Sequence, residues 1–300
     1  MLQRIGCFLF VVLLGTGTGF SALAEGGARD WQLGLRPASS PTMEKIVDFH
    51  NLLLVIITLI SIFVLVLLLY VMFRFSEKRN PTPSKTTHNT LIEVLWTVIP
   101  VIILVVVAIP SFKLLYFADR IEDADMTIKA IGRQWYWSYE YPDHGNFAFD
   151  ATMVADEDLQ EGELRLITTD NKVVLPVNTK IRLLIAASDV LHAFALPALG
   201  IKLDAVPGQV NETWVEITRE GTFYGQCSEI CGTGHAYMPI QIEAVSKEAF
   251  EAWVEEAKVE FAQVEEPAGE LPVAASVASP GAPAETPQAE SRVAQAQPSN

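Results

Sequence analysis

The chain has 300 residues, 36 acidic against 21 basic side chains and a formal net charge of −15. That length allows one ordinary domain plus membrane segments, and the acidic balance argues against a nucleic-acid partner. Three cysteines are too few for a disulfide framework.

Residues 1–24 carry Arg4, an apolar run and then small residues ending Ala22-Leu23-Ala24, the pattern of a secretory signal peptide with an A-x-A cleavage site. Cys7 falls within it. Residues 25–48 are polar, contain Pro37 and Pro41, and read as an extended arm outside the cytoplasm. Two charge-free apolar stretches follow, at 51–73 and 94–112, each long enough for a transmembrane helix. Together they define a hairpin over residues 49–113. Its short loop, 74–90, holds Arg74, Lys78, Arg79 and Lys85 against Glu77 alone, so the positive-inside rule puts the loop in the cytoplasm and both flanks in the periplasm. Pro100 and Pro110 in the second span are tolerated where neighbouring helices satisfy the freed carbonyls, which points to a larger membrane partner. Glu93, at the cytoplasmic mouth of that span, is either an interfacial carboxylate or a proton-collecting group.

Beyond residue 119 the texture becomes β. Imperfect alternation at 126–131, 180–185 and 212–217, with turn residues at Pro142-Asp143-His144-Gly145-Asn146, Asp170-Asn171 and Pro207-Gly208, predicts an all-β sandwich over 119–245. Alternation through the aromatic run puts Trp135, Trp137, Tyr139 and Tyr141 on one face. Ser246 is an N-cap candidate for a helix over 246–261. Residues 264–300 are rich in Pro, Ala, Glu, Ser and Gln and read as a disordered tail. His50, His88 and His144 stand alone and read as membrane-edge or surface residues. From Lys113 onward 30 acidic face 13 basic side chains, a surface suited to a basic protein partner.

The densest chemistry lies at Cys227-Ser228-Glu229-Ile230-Cys231-Gly232-Thr233-Gly234-His235-Ala236-Tyr237-Met238. Two thiols, an imidazole and a thioether on one glycine-rich loop favour copper, and two thiolates can bridge a pair of ions if a second imidazole is supplied. His192, in Val190-Leu191-His192, can supply it. A structural zinc site, a simple disulfide of Cys227 with Cys231, and a membrane-anchored copper-delivery or thiol-redox protein are the competing readings.

This loop, Val190-Leu191-His192, and Trp135-Tyr136-Trp137-Ser138-Tyr139-Glu140-Tyr141 resemble subunit II of haem-copper cytochrome c oxidase, from about residue 40 to residue 260. The resemblance implies a two-helix hairpin followed by a cupredoxin-like sandwich. It implies two copper ions bridged by Cys227 and Cys231, with His192 and His235 on one copper each and Met238 and the Glu229 carbonyl as weak ligands. The Glu229 side chain would share a magnesium or manganese ion with subunit I. Trp135 would receive electrons from cytochrome c, and Glu140, Asp143 and Asp189 would help to dock it; Asp156, Glu157 and Asp158 are further acidic candidates. Arg133 departs from the family pattern and puts a positive charge close to that surface. Glu93 would sit at the mouth of a proton-uptake route. The implied partners are subunit I and other oxidase subunits, cytochrome c and the membrane. The implied setting is the bacterial inner membrane, with the copper domain periplasmic.

Overall fold

The computed structural model describes residue 27, residues 30–119 and residues 123–262. The signal-peptide and tail readings lie outside the described residues. Among the described residues two long helices come first, α1 (Pro41–Arg74) and α2 (Thr90–Asp119). Their most apolar windows reach mean hydropathies of 3.5 and 2.8, and those windows bury nothing within the chain. At the α-helical rise they measure about 51 and 45 Å, against a hydrocarbon layer of about 30 Å, so both can cross a bilayer and project beyond it.

The projecting ends correct the sequence reading. Residues 41–48 are helical, not part of an extended arm, and α2 runs six residues past the expected end of the hairpin to Asp119. The physical cause at the first end is a cap. Ser40 has extended backbone, its Oγ accepts from Met43 N–H at 3.0 Å, and Pro41 occupies the first helical turn, where its missing N–H costs nothing.

These ends are tied to the β domain. Ser40 Oγ donates to the Leu199 carbonyl at 2.7 Å, Ser39 N–H donates to Ala198 O, and Thr218 N–H donates to Ser39 O. Ser39, Ser40, Thr42 and Met43 are consequently buried. At the other end, Trp214 Nε1 donates at 3.2 Å to the carbonyl of Phe117, in the last turn of α2. The two rings meet edge to face, and Lys45 Nζ of α1 lies 4.6 Å over the Phe117 ring.

The β domain is a sandwich of two five-stranded sheets. The first contains β1 (Met126–Arg133), β2 (Tyr136–Tyr141), β3 (Phe147–Ala151), β5 (Ile181–Ala187) and β8 (Asn211–Val215), in the order β3-β2-β1-β5-β8. The second contains β4 (Val173–Pro176), β6 (His192–Leu196), β7 (Ile201–Ala205), β9 (Gly221–Cys227) and β10 (Pro239–Val245), in the order β4-β10-β9-β6-β7. Pairing is antiparallel except for β1 with β5 and β4 with β10. Inward residues such as Ile128, Trp137, Tyr139, Phe194, Phe223 and Ile240 fill the space between the sheets. The third predicted strand ends at Val215, two residues early, although Ile217 stays buried.

Helix α3 (Lys247–Glu260), capped by Ser246 as expected, closes one end of the sandwich. It buries Phe250, Val254 and Ala257 and sets Trp253 against Tyr141 and Phe147. His144, expected at the surface, is half-buried with its ring edge to face with Phe250 at 5.1 Å.

Candidate metal centre

The candidate ligands meet at one end of the second sheet. Cys227 is the last residue of β9, and His192 is the first residue of the adjacent β6, where Phe194 pairs with Cys227. The connection from β9 to β10 wraps around them and includes a short 3-10 turn at His235–Tyr237. Its backbone is pinned: Cys227 N–H donates to Met238 O, Ser228 N–H to Ala193 O, and Tyr237 N–H to Gly234 O. Gln226 Nε2 closes the loop on Ala236 O at 2.6 Å.

Within this frame the two sulfurs are 3.9 Å apart, too far for a disulfide and right for two thiolates facing shared ions. His192 Nδ1 lies 3.9 Å from Cys227 Sγ, and His235 Nδ1 lies 3.6 Å from Cys231 Sγ. Met238 Sδ is 3.5 Å from Cys231 Sγ, and the Glu229 carbonyl is 3.3 Å from Cys227 Sγ. His192 and Met238 are fully buried and both cysteines nearly so, while His235 is half-buried. His192, Cys227 and Cys231 place their donor atoms within 4.8 Å of one another. Two thiols, two imidazoles, a thioether and a carbonyl exceed what one tetrahedral zinc ion takes up, and the soft sulfur set fits copper.

Electrostatics favour a cation here. Asp189 Oδ1 lies 2.9 Å from His192 Nε2, which leaves Nδ1 directed at the sulfurs. Burial acts to raise the Asp189 pKa, but hydrogen bonds from His192, Val190 N–H and Gln134 N–H outweigh it and hold the carboxyl below its ordinary value. Burial likewise opposes the charged form of His192, yet Cys227 and Asp189 together raise its pKa. For Cys227, burial is overcome by the bond to His192 and by neighbouring backbone groups, which bring the thiol down to about 6. Burial and the charge of Cys227 push Cys231 up to about 12. The two thiols are shifted in opposite directions because they lie close enough to repel as a pair of thiolates, a repulsion that a bound cation offsets.

Trp135 departs from the aromatic alternation. Trp137, Tyr139 and Tyr141 point into the core, whereas Trp135 precedes β2, is 38% exposed, and lies across the metal loop with Nε1 donating to Cys231 O at 3.2 Å. Gln134 Nε2 donates to the same carbonyl at 2.8 Å, a contact that sequence reasoning missed. Of the three docking candidates only Asp189 adjoins the site. Glu140 is ion-paired with Lys129 at 3.0 Å, and Asp143 accepts from Thr127 N–H. Within β2 the chain runs from Tyr136, next to Trp135, to Glu140 over about 13 Å at the extended rise. Asp156 is paired with Arg165. Arg133 is turned to Ser138, whose hydroxyl donates to Asp150. Glu229 is exposed. Glu93 lies in the first turn of α2, far along the chain from the metal loop, and its Oε1 accepts from Asn89 N–H at 3.0 Å while Asn89 Oδ1 accepts from Ile92 N–H.

A ten-stranded sandwich tied to two apolar helices, with thiols and imidazoles converging at one sheet end, defines a membrane-anchored cupredoxin-like protein with a cluster of soft donor atoms. Residues 126–245 match the family model for the periplasmic domain of cytochrome c oxidase subunit II, and residues 28–114 match the model for its transmembrane domain. A probable cytochrome c oxidase subunit 2 of Rickettsia bellii is 54% identical over 224 residues, covering 75% of this chain and 83% of the relative. Cytochrome c oxidase subunit 2 of Oenothera berteroana is 50% identical over 233 residues, covering 76% and 90%. The crystallised periplasmic domain of the oxidase subunit II of Bradyrhizobium japonicum is 54% identical, with 47% of this chain and 99% of that chain covered and a TM-score of 0.45. The chain belongs to the cytochrome c oxidase subunit II family, and so is one subunit of an oxidoreductase complex.

Proposed function

We propose that this chain is the electron-input subunit of a proton-pumping haem-copper oxidase in a bacterial inner membrane. It takes single electrons from cytochrome c on the periplasmic side and hands them to haem in subunit I, where oxygen is reduced to water. The observation that carries this reading is the pairing of each sulfur with its own imidazole around a 3.9 Å sulfur–sulfur gap. Cys227, Cys231, His192 and His235 would hold the two copper ions, with Met238 and the Glu229 carbonyl as weak ligands. Copper so held supplies one-electron redox chemistry with little change of shape.

The chain's own residues do the rest. Asp189 orients the His192 ring, and the pinned loop keeps the sulfurs at fixed spacing. Trp135 offers a half-exposed ring one hydrogen bond from a ligand residue, a suitable port for an electron from a docked donor. Asp189, Glu140 and Asp143 contribute negative charge that attracts a basic cytochrome c. The exposed Glu229 carboxylate is a hard ligand for a magnesium or manganese ion shared with subunit I. Glu93 collects protons at the cytoplasmic end of α2. Residues 1–24 serve as a signal peptide, and the loop between the helices faces the cytoplasm.

Copper analysis with electron spin resonance of the full chain in its oxidase tests the reading. Two coppers assignable to this subunit and one electron shared over both nuclei are expected, with the sharing lost in Cys227→Ser and retained, at a shifted potential, in Met238→Leu. One copper per subunit, or zinc after growth with ample copper, would refute it.

A further inference from the structure

Two rings of the centre lie on backbone that has no side chain. Gly132 sits in β1, in register with Trp137 on one side and Ala187 on the other. A Cβ there would stand 2.8 Å from His192 Cδ2 and 2.9 Å from Cγ, closer than real Cβ contacts come. The His192 ring cannot step aside freely, since Asp189 holds one nitrogen and the other faces Cys227. Glycine weakens a strand relative to alanine, so its use at this point calls for a reason.

Gly234 underlies the other ring. Its Cβ would lie 2.4 Å from both Cγ and Cδ2 of Trp135. The neighbouring Gly232 has φ +117, a conformation that by itself favours glycine. Gly234 has φ −89, which any residue adopts. Its missing side chain answers to the indole and not to the backbone.

We propose that Gly132 and Gly234 are positioning residues, the first seating the His192 imidazole for metal binding and the second seating the Trp135 indole for electron input. This rests on the electron-input reading above. The two glycines have separable effects, because one acts through a ligand and the other through a ring that binds no metal.

The test uses the full chain in its oxidase, with Gly34→Ala as a methyl-addition control, since nothing lies within 4 Å of that position. Gly132→Ala should shift the spin-resonance and optical spectra of the centre or lose at least one copper. Gly234→Ala should keep two coppers and the wild-type spectrum, yet slow transfer within a preformed cytochrome c complex severalfold, towards the rate of Trp135→Ala. Two coppers with an unaltered spectrum in Gly132→Ala, or wild-type transfer in Gly234→Ala, overturns the corresponding half. If Gly132→Ala fails to accumulate, the double variant with His192→Ala decides. Removing the ring should restore accumulation to the level of His192→Ala alone, and a double variant as poor as Gly132→Ala overturns the seat. A wild-type chain with one copper, or a Trp135→Ala variant with normal transfer, instead refutes the underlying functional reading.

Discussion

Ser40→Ala isolates the seam between membrane and metal domain. The hydroxyl has two buried partners: it accepts from Met43 N–H at 3.0 Å as the cap of α1 and donates to Leu199 O at 2.7 Å. Losing the cap costs about 1 kcal/mol. Depriving a buried carbonyl of its donor costs about 1–3 kcal/mol more. The two act on the same cooperative unit, so a loss of about 2–4 kcal/mol is expected, which for a domain of this size lowers Tm by at least about 6 °C.

The assay is thermal unfolding of the detergent-solubilised chain, followed by near-ultraviolet circular dichroism, which reports the packed aromatic core. Ser40→Thr retains the hydroxyl and should recover most of the loss. The copper spectrum at 25 °C should be unchanged in both variants, because Ser40 touches no ligand. Leu199 ends the turn that follows β6, the strand that His192 opens, so a looser seam should also spread the orientations of the metal site relative to the helices. A Tm within about 1 °C of wild type, below the effect of even one lost cap, or equal losses in the Ala and Thr variants, would refute the reasoning.

Glu93 has a capping contact as well as its proposed proton role, and the two separate by substitution: Glu93→Gln keeps the bond to Asn89 N–H, Glu93→Ala does not. Slowed proton uptake in both supports the proton role, whereas slowing in Ala alone assigns the residue to helix capping. Burial lowers the pKa of His144, with Asp143 opposing the shift and Lys258 adding to it. A folded pKa below the unfolded value means that stability is complete above about pH 6.5 and lost as pH falls through that value towards the folded pKa. The protection of α3 amides, taken relative to the intrinsic exchange rate at each pH, should therefore fall between pH 7.5 and 5.5, and His144→Phe should remove that fall; an equal loss of protection in the variant would exclude His144. Glu140→Gln with Asp143→Asn should weaken cytochrome c binding and flatten its salt dependence while leaving the copper spectrum intact, because neither residue contacts a ligand. Asp189→Asn should disturb both, since it also holds His192; an unchanged salt slope in the double variant would remove Glu140 and Asp143 from docking.

Much of this was legible because it is encoded locally. Charge-free runs marked the two helices, alternation marked β1, β5 and most of β8, and Ser246 marked the start of α3. The ligands on the β9–β10 loop were visible because four of them fall within twelve residues. The seam leaves only a weak local mark: Ser40 followed by Pro41 and Glu44 is a helix-start signature, but it lies in a polar, proline-containing flank with the composition of an extended arm. Its partners were beyond local reasoning. The Ser40–Leu199 bond spans 159 residues and the Trp214–Phe117 bond spans 97, and neither leaves any periodicity in the sequence.

The failures of local rules concentrate at the metal end of the sandwich. Alternation puts Trp135 on the same face as Trp137, yet the chain turns its ring onto the ligand loop, where Cys231 O satisfies the indole N–H. A strand interior disfavours glycine, yet Gly132 lies where a side chain would strike His192. A buried histidine ordinarily sits among apolar neighbours in its neutral form, yet His192 is held between Asp189 and Cys227, which favour its charged form. Each departure lies in contact with a candidate ligand. Sequences that otherwise agree with their fold at every level tend to break local preference where function demands it. The clustering of these exceptions around Cys227 and Cys231 is therefore an argument for the site that does not depend on the identity of the metal.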